Sequence, residues 1–295
     1  MQMLETIRRK IESAKDMHSV VKTMKALAAV NIHAYEKAVS AINYYHQNIE
    51  ASLQIVLKEN PEILKAPATD DIESIGIIVL GAQRGMAGNF NLPVVNKLDS
   101  WMKKKGLKQQ QSSVTACVVG DRTLEPLKDI GISPNYKLDF PNFRNNLDST
   151  IQDVLLIVEK WRFQKRVSHI HLFYNRPTSG SSFKPGHFQL YPLNPDWLRE
   201  LAAKQWPSRS IPLYTIPADT FFNLVIRQYF YISLYKTFIE SMASENASRL
   251  IAMRKAEQNI EEQLEELDAQ FNKQRQDSIT EELLDIVAGF EALTK

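Results

Sequence analysis

The chain has 295 residues, enough for one large domain or two modest ones, with 36 basic and 34 acidic side chains and a formal net charge of +2. So balanced a charge gives no global reason to expect a nucleic acid or a membrane surface as partner. The sole cysteine, Cys117, lies in the apolar run Val114 to Val119. With no second thiol, an intrachain disulfide and a thiolate metal cage are excluded, and a reducing compartment fits best.

The N-terminal residues Leu4-Glu5-Thr6-Ile7-Arg8-Arg9-Lys10 contain neither an apolar h-region nor a small-residue cleavage site, so no export signal is expected. No window approaches the roughly 20 apolar residues that span a bilayer, so any membrane contact is expected to run through partner subunits. From Leu4 the apolar residues return at spacings of three and four: Leu4, Ile7, Ile11, Ala14, Val21, Ala28, Ile32, Tyr35, Val39, Ile42, Ile49, Leu53 and Val56. This is a heptad seam, interrupted by His18, Lys25 and His46. No proline or glycine precedes Pro61, which predicts an unbroken helix of about 55 residues, roughly 80 Å long.

The middle of the chain alternates. An apolar run, Ile75 to Leu80, leads through a glycine-punctuated turn to a helical stretch from Leu92 to about Lys105. A second run, Val114 to Val119, is followed by a helical stretch from Thr123 to Ile130 and an amphipathic one from Ile151 to Trp161. Ile170 to Tyr174 and Phe188 to Tyr191 read as further strands. This βαβα order predicts a Rossmann-like, mostly parallel sheet domain inserted between two long terminal helices.

After Pro217 the helical pattern returns for about 75 residues, with one late glycine, Gly289. Ile260, Leu264, Leu267 and Phe271 hold a three-four spacing, as do Ile279, Leu283, Ile286, Phe290 and Leu293. Joining these blocks through Arg275, at consecutive spacings of four, predicts a stutter that places Arg275, Gln276 and Thr280 at or beside an apolar seam. A domain of about 150 residues, roughly 40 Å across, cannot cover helices of this length. The two ends are therefore expected to pair as a long antiparallel coiled coil sheathed by partners. The expected segments are 1–60, the N-terminal helix; 72–212, the α/β domain; and 215–295, the C-terminal helix.

The C-terminal strings Ser244-Glu245-Asn246-Ala247-Ser248-Arg249-Leu250-Ile251-Ala252-Met253 and Phe271-Asn272-Lys273-Gln274-Arg275-Gln276-Asp277-Ser278-Ile279-Thr280-Glu281-Glu282-Leu283 closely resemble the last helix of F-type ATP synthase gamma subunits. Leu4 to Ile11, Val21-Lys22-Thr23-Met24-Lys25-Ala26-Leu27-Ala28-Ala29 and the turn Arg84-Gly85-Met86-Ala87-Gly88-Asn89-Phe90-Asn91 resemble that family in the same order. Departures at Val30-Asn31-Ile32-His33, at Gly88-Asn89 and at Thr215, beside Tyr214 where members often carry an acidic residue, suggest a divergent branch. The resemblance implies a non-catalytic rotor shaft in the centre of an alpha-beta hexamer, with epsilon and the membrane c-ring as further partners. It implies no cofactor, and a peripheral position on the cytoplasmic face of a bacterial inner membrane. It also implies that Arg275, Gln276, Thr280 and Glu282 contact the hexamer, and that Met24, Lys25 and Arg249 lie where the shaft meets the lever loops of the beta subunits.

Other chemistry is weaker. Gly81, Gly85 and Gly88 could cradle a phosphate, but the spacing fits neither dinucleotide nor P-loop fingerprint, and a tight strand-to-helix turn explains them. His169 and His171 share one face of a strand and could supply two metal ligands, with no third visible nearby. Lys103-Lys104-Lys105 and Glu261, Glu262, Glu265 and Glu266 read as solvated helix faces. The alternatives left open are a coiled-coil scaffold and a Rossmann-type nucleotide-binding enzyme, the second lacking its fingerprint.

Overall fold

The computed structural model describes residues 2–65, 74–107, 114–141, 146–165, 167–178 and 182–293, without the side chains of 2, 65 and 289–293. The seam positions expected at Phe290 and Leu293, and the domain boundary expected at residue 72, therefore lie outside what is described. The elements are α1 (Gln2–Glu59), a 3-10 turn (Pro61–Lys65), β1 (Ile75–Leu80), α2 (Asn91–Lys104), β2 (Val114–Val119), α3 (Leu124–Asp129), β3 (Tyr136–Leu138), α4 (Leu147–Phe163), β4 (His169–Pro177), β5 (Phe183–Tyr191), α5 (Pro195–Ala203) and α6 (Ala218–Leu293). Helices α1 and α6 run for 58 and 76 residues. The chain divides into two compact units, one of residues 30–248 and one of residues 1–29 with 249–295.

The unit of residues 30–248 is built on a five-stranded sheet in the order β3-β2-β1-β4-β5. The first four strands are mutually parallel; β5 returns antiparallel to β4 through a hairpin. The sheet is thus mostly parallel, as the alternating elements imply. The short strand β3, the hairpin partnership of β5 and helix α5 carry too little periodic signal to be read from sequence.

Strand alternation sorts this core into two layers. Ile78, Leu80, Cys117, Val119, Ile170, Leu172 and Tyr174 face one side, where α4 and the helix pair of α1 and α6 cover them. Ile75, Ile77, Val79, Ala116, Val118 and Phe173 face the other, under α2 and α3. At Gly76 α4 packs tightly on the sheet: a Cβ added there would lie 2.5 Å from the indole of Trp161, which is fully buried. Within this unit the helix pair is antiparallel, since Asn31 meets Asn246 and Tyr45 meets Gln228.

The second unit consists of the first half of α1 and the second half of α6. Ile7 and Ile11 pack with Leu267, flanked by Leu264 and Phe271, and Lys25 reaches Glu257. Rising numbers on one helix meet falling numbers on the other, so this pair too is antiparallel.

Candidate partner-contact surface

In the unit of residues 1–29 and 249–295, the inward positions follow strict heptads. On α1 they are Leu4, Ile7, Ile11, Ala14, His18, Val21, Lys25 and Ala28; on α6 they are Leu250, Met253, Glu257, Ile260, Leu264, Leu267, Phe271, Gln274 and Ser278. The polar interruptions of the α1 seam are therefore true seam residues, each with a partner on the opposite helix. His18 Nε2 lies 3.2 Å from Glu261 Oε1. The ammonium of Lys25 donates to Glu257 Oε2, and this hydrogen bond holds the Glu257 carboxyl below the usual carboxylate range. Polar residues at seam positions fix register at some expense of stability.

The expected stutter is not present. Burial passes from Phe271 to Gln274 and Ser278 in unbroken three-four steps, and Arg275 lies beside the seam, exposed. The apolar Ile279 and Leu283 suggested a register through Arg275, but Leu4 stands opposite the stretch around Gln274. Every described side chain from 279 to 288 is exposed.

The candidate contact residues divide accordingly. Arg275 borders a shallow groove of about 590 Å³ lined by Leu4, Glu5, Arg8 and Phe271. Gln276 and Thr280 share the opposite face of α6, where the Thr280 hydroxyl donates to the Gln276 carbonyl at 2.9 Å. Glu282 is exposed. Met24 and Arg249 are half-buried, and Lys25 is held by Glu257 rather than standing free. The structure thus brings Lys25 into a cluster with His18, Glu257 and Glu261, and leaves Arg275, Gln276, Thr280 and Glu282 on open surface. Glu257 went unnoticed in the sequence, although it stands seven residues from both Leu250 and Leu264 and its place on the seam was legible.

The remaining candidates resolve into structural roles. At the glycine turn, Gly81 N–H donates to Val119 O and Ala82 N–H to the Asn91 side chain, both at 2.9 Å. Met86 and Gly88 take positive φ, and Ser248 Oγ of α6 donates to Ala87 O at 2.6 Å, so the turn docks on α6. Lys103 pairs with Asp99, Lys104 and Lys105 are exposed, and Glu262, Glu265 and Glu266 face solvent. Tyr214 stacks on Phe221 and accepts from Asn60, with Thr215 exposed beside it.

The histidines have a third member that spacing along one strand could not reveal. His187 of β5 brings Nε2 to 3.0 Å from Nδ1 of buried His171, and Trp101 of α2 packs on both rings. Burial, with His187 next in effect, pushes the His171 pKa down to about 3; burial lowers His187 as well. One ring nitrogen donates and the other accepts, so both rings are neutral near pH 7.

A family model described as ATP synthase matches residues 3–293 of the chain. The chain belongs to the F1 gamma-subunit family of ATP synthases. Its fold is similar to a chain of the Euglena gracilis mitochondrial ATP synthase, described as OSCP/F1/c-ring in rotational state 3. That match has a TM-score of 0.62 at 19% identity and covers 99% of this chain and 95% of that one. A chain of the Tetrahymena thermophila mitochondrial enzyme, described as central stalk/c-ring, matches with a TM-score of 0.60 at 19% identity, covering 80% and 99%. As a gamma-family chain, it is a subunit of an ATPase complex and the rotor of its central stalk, coupling ion translocation to ATP synthesis or hydrolysis. Among the described residues no helix is long and apolar enough to cross a membrane.

Proposed function

We propose that this chain is the non-catalytic shaft of an F-type ATP synthase, turning inside an alpha-beta hexamer, with epsilon and the membrane c-ring as its other partners. The family match across residues 3–293 carries the reading. The regular heptad seam of residues 1–29 and 249–295 supports it, because a two-helix pair with so much polar outer surface suits a sleeve of other subunits. The segments 1–60, 72–212 and 215–295 serve as first shaft helix, α/β domain and second shaft helix. The α/β domain lies toward epsilon and the c-ring, and the chain is peripheral, on the cytoplasmic face of a bacterial inner membrane.

Arg275, Gln276, Thr280 and Glu282 meet the hexamer, and Met24, Lys25 and Arg249 lie at the lever loops of the beta subunits. The exposure of the first four suits contacts made and broken in each turn, since exposed ion pairs are worth only about 0.2 to 1 kcal/mol. The coupling is differential: one asymmetric shaft presents a different face to each beta subunit and shifts its nucleotide affinity by contact energy alone. Co-expression with the alpha and beta subunits, followed by native mass spectrometry, tests this. One copy per hexamer is expected; a lone monomer with its own chemistry overturns it.

A further inference from the structure

His18 on α1 and Glu257 and Glu261 on α6 offer one imidazole nitrogen and two carboxylate oxygens, all within 4.8 Å of one another. The three belong to one compact unit. Glu257 and Glu261 are one helical turn apart, so both carboxylates leave α6 on the same side, and His18 meets them from the facing helix. The side chains of Glu257, His18 and Glu261 are 15%, 27% and 58% exposed, which grades the cluster from the seam outward to solvent.

We propose that His18, Glu257 and Glu261 form a binding site for a divalent first-row transition ion such as Zn²⁺, which clasps α1 to α6.

The donor chemistry selects the ion. Imidazole with two carboxylates suits Zn²⁺ and its neighbours, whereas Mg²⁺ and Ca²⁺ take oxygen ligands. Ligand bonds of about 2.0–2.2 Å place neighbouring donors of a tetrahedral ion roughly 3.3–3.5 Å apart. His18 Nε2 and Glu261 Oε1 already stand at 3.2 Å, and side-chain torsions of the two glutamates close the remainder. The exposed edge at Glu261 leaves the fourth position to water.

Lys25 is the built-in competitor. Its ammonium occupies Glu257 Oε2, so an arriving ion displaces it, and the ion's two charges replace one. The site therefore exchanges a salt bridge for a coordinated ion at the same carboxylate. Because His18 and Glu257 are brought together only by folding, the ion binds the folded helix pair and raises its thermal stability.

The full chain, stripped with chelator, is titrated with Zn²⁺ by calorimetry and melted with and without it; Co²⁺ absorption reports the donor set. The expected result is one ion per chain, a raised melting temperature and a Co²⁺ spectrum of low coordination number. Binding is lost in both His18→Ala and Glu261→Gln, tightened in Lys25→Met, and unchanged in His169→Ala. Should His18→Ala fail to fold, Glu261→Gln alone carries the test, since its carboxylate is exposed and outside the core. No binding by the wild type, equal binding by Glu261→Gln, weaker binding by Lys25→Met or loss in His169→Ala would each overturn the proposal.

Discussion

Acid should loosen the sheet layer under α2 through His171. The ring is 5% exposed, shares a 3.0 Å contact with His187 and packs against Trp101, while Lys105 and Lys97 add positive charge nearby. Its pKa falls from the ordinary 6.5 of an open chain to about 3 in the fold, chiefly through burial. The folded ring stays neutral where the unfolded one takes a proton, so stability is intact above pH 6.5 and declines as pH falls toward 3. Between pH 7 and pH 5 the loss from this ring is about 2 kcal/mol, taking 1.36 kcal/mol per pH unit below 6.5. His187 and His46, both lowered chiefly by burial, act in the same direction. Urea unfolding of the wild type and of His171→Gln at pH 7 and pH 5, followed by tryptophan emission, measures the difference. The wild type should lose about 2 kcal/mol more than the variant over that interval. Parallel pH profiles for the two proteins, or a His171 ring that titrates above pH 5 by NMR, would refute the reasoning.

Gly76→Ala places a methyl 2.5 Å from the Trp161 indole, so it should destabilise the protein by about 1–3 kcal/mol, read from denaturant midpoints. Ser248→Ala removes the buried donor to Ala87 O and should cost about 1–2 kcal/mol, with faster amide exchange in residues 82–90. Cys117 is fully buried and its thiol is pushed up to about 12, so Ellman's reagent should leave it unmodified at pH 8 until denaturant is added. In the assembled complex, Arg275→Ala with Gln276→Ala should weaken ATP-driven ion pumping more than ATP hydrolysis; equal loss of both would remove these residues from coupling.

The two long helices and the mostly parallel character of the sheet were legible in the sequence, the helices from periodicity and the sheet from its alternation of short apolar runs with helical stretches. Heptads over 58 and 76 residues outweigh local propensity, and buried strands such as Ile75–Leu80 read as continuous apolar runs. The seam through Arg275 was misread for a definite reason. Apolarity shows which residues need cover, but the geometry of the opposite helix decides which receive it. Ile279 and Leu283 need cover, yet they stay 47% and 58% exposed. His187 was hidden because its partner strand is brought beside His171 by a hairpin register with an irregularity between Ile170 and His171. Arg275, Gln276 and Thr280 stood out through the expected stutter as well as the resemblance, and Glu282 through the resemblance alone, since an exposed polar residue on a helix has no signature of its own.

The polar content of the helix pair bears on how a shaft of this kind works. An apolar heptad seam stabilises two helices but tolerates sliding by whole heptads, because one leucine layer resembles the next. Here the layers are individually marked. Asn31 meets Asn246, Lys25 meets Glu257 and His18 meets Glu261, and a slip of seven residues would set the half-buried Lys25 ammonium against Leu250 or Leu264. Leaving that ammonium unpaired costs about 1–3 kcal/mol, so this layer opposes slippage more than it adds to net stability. Register is the property torque requires. A helix pair that slid under load would dissipate work that should reach the nucleotide sites, whereas a fixed register transmits it.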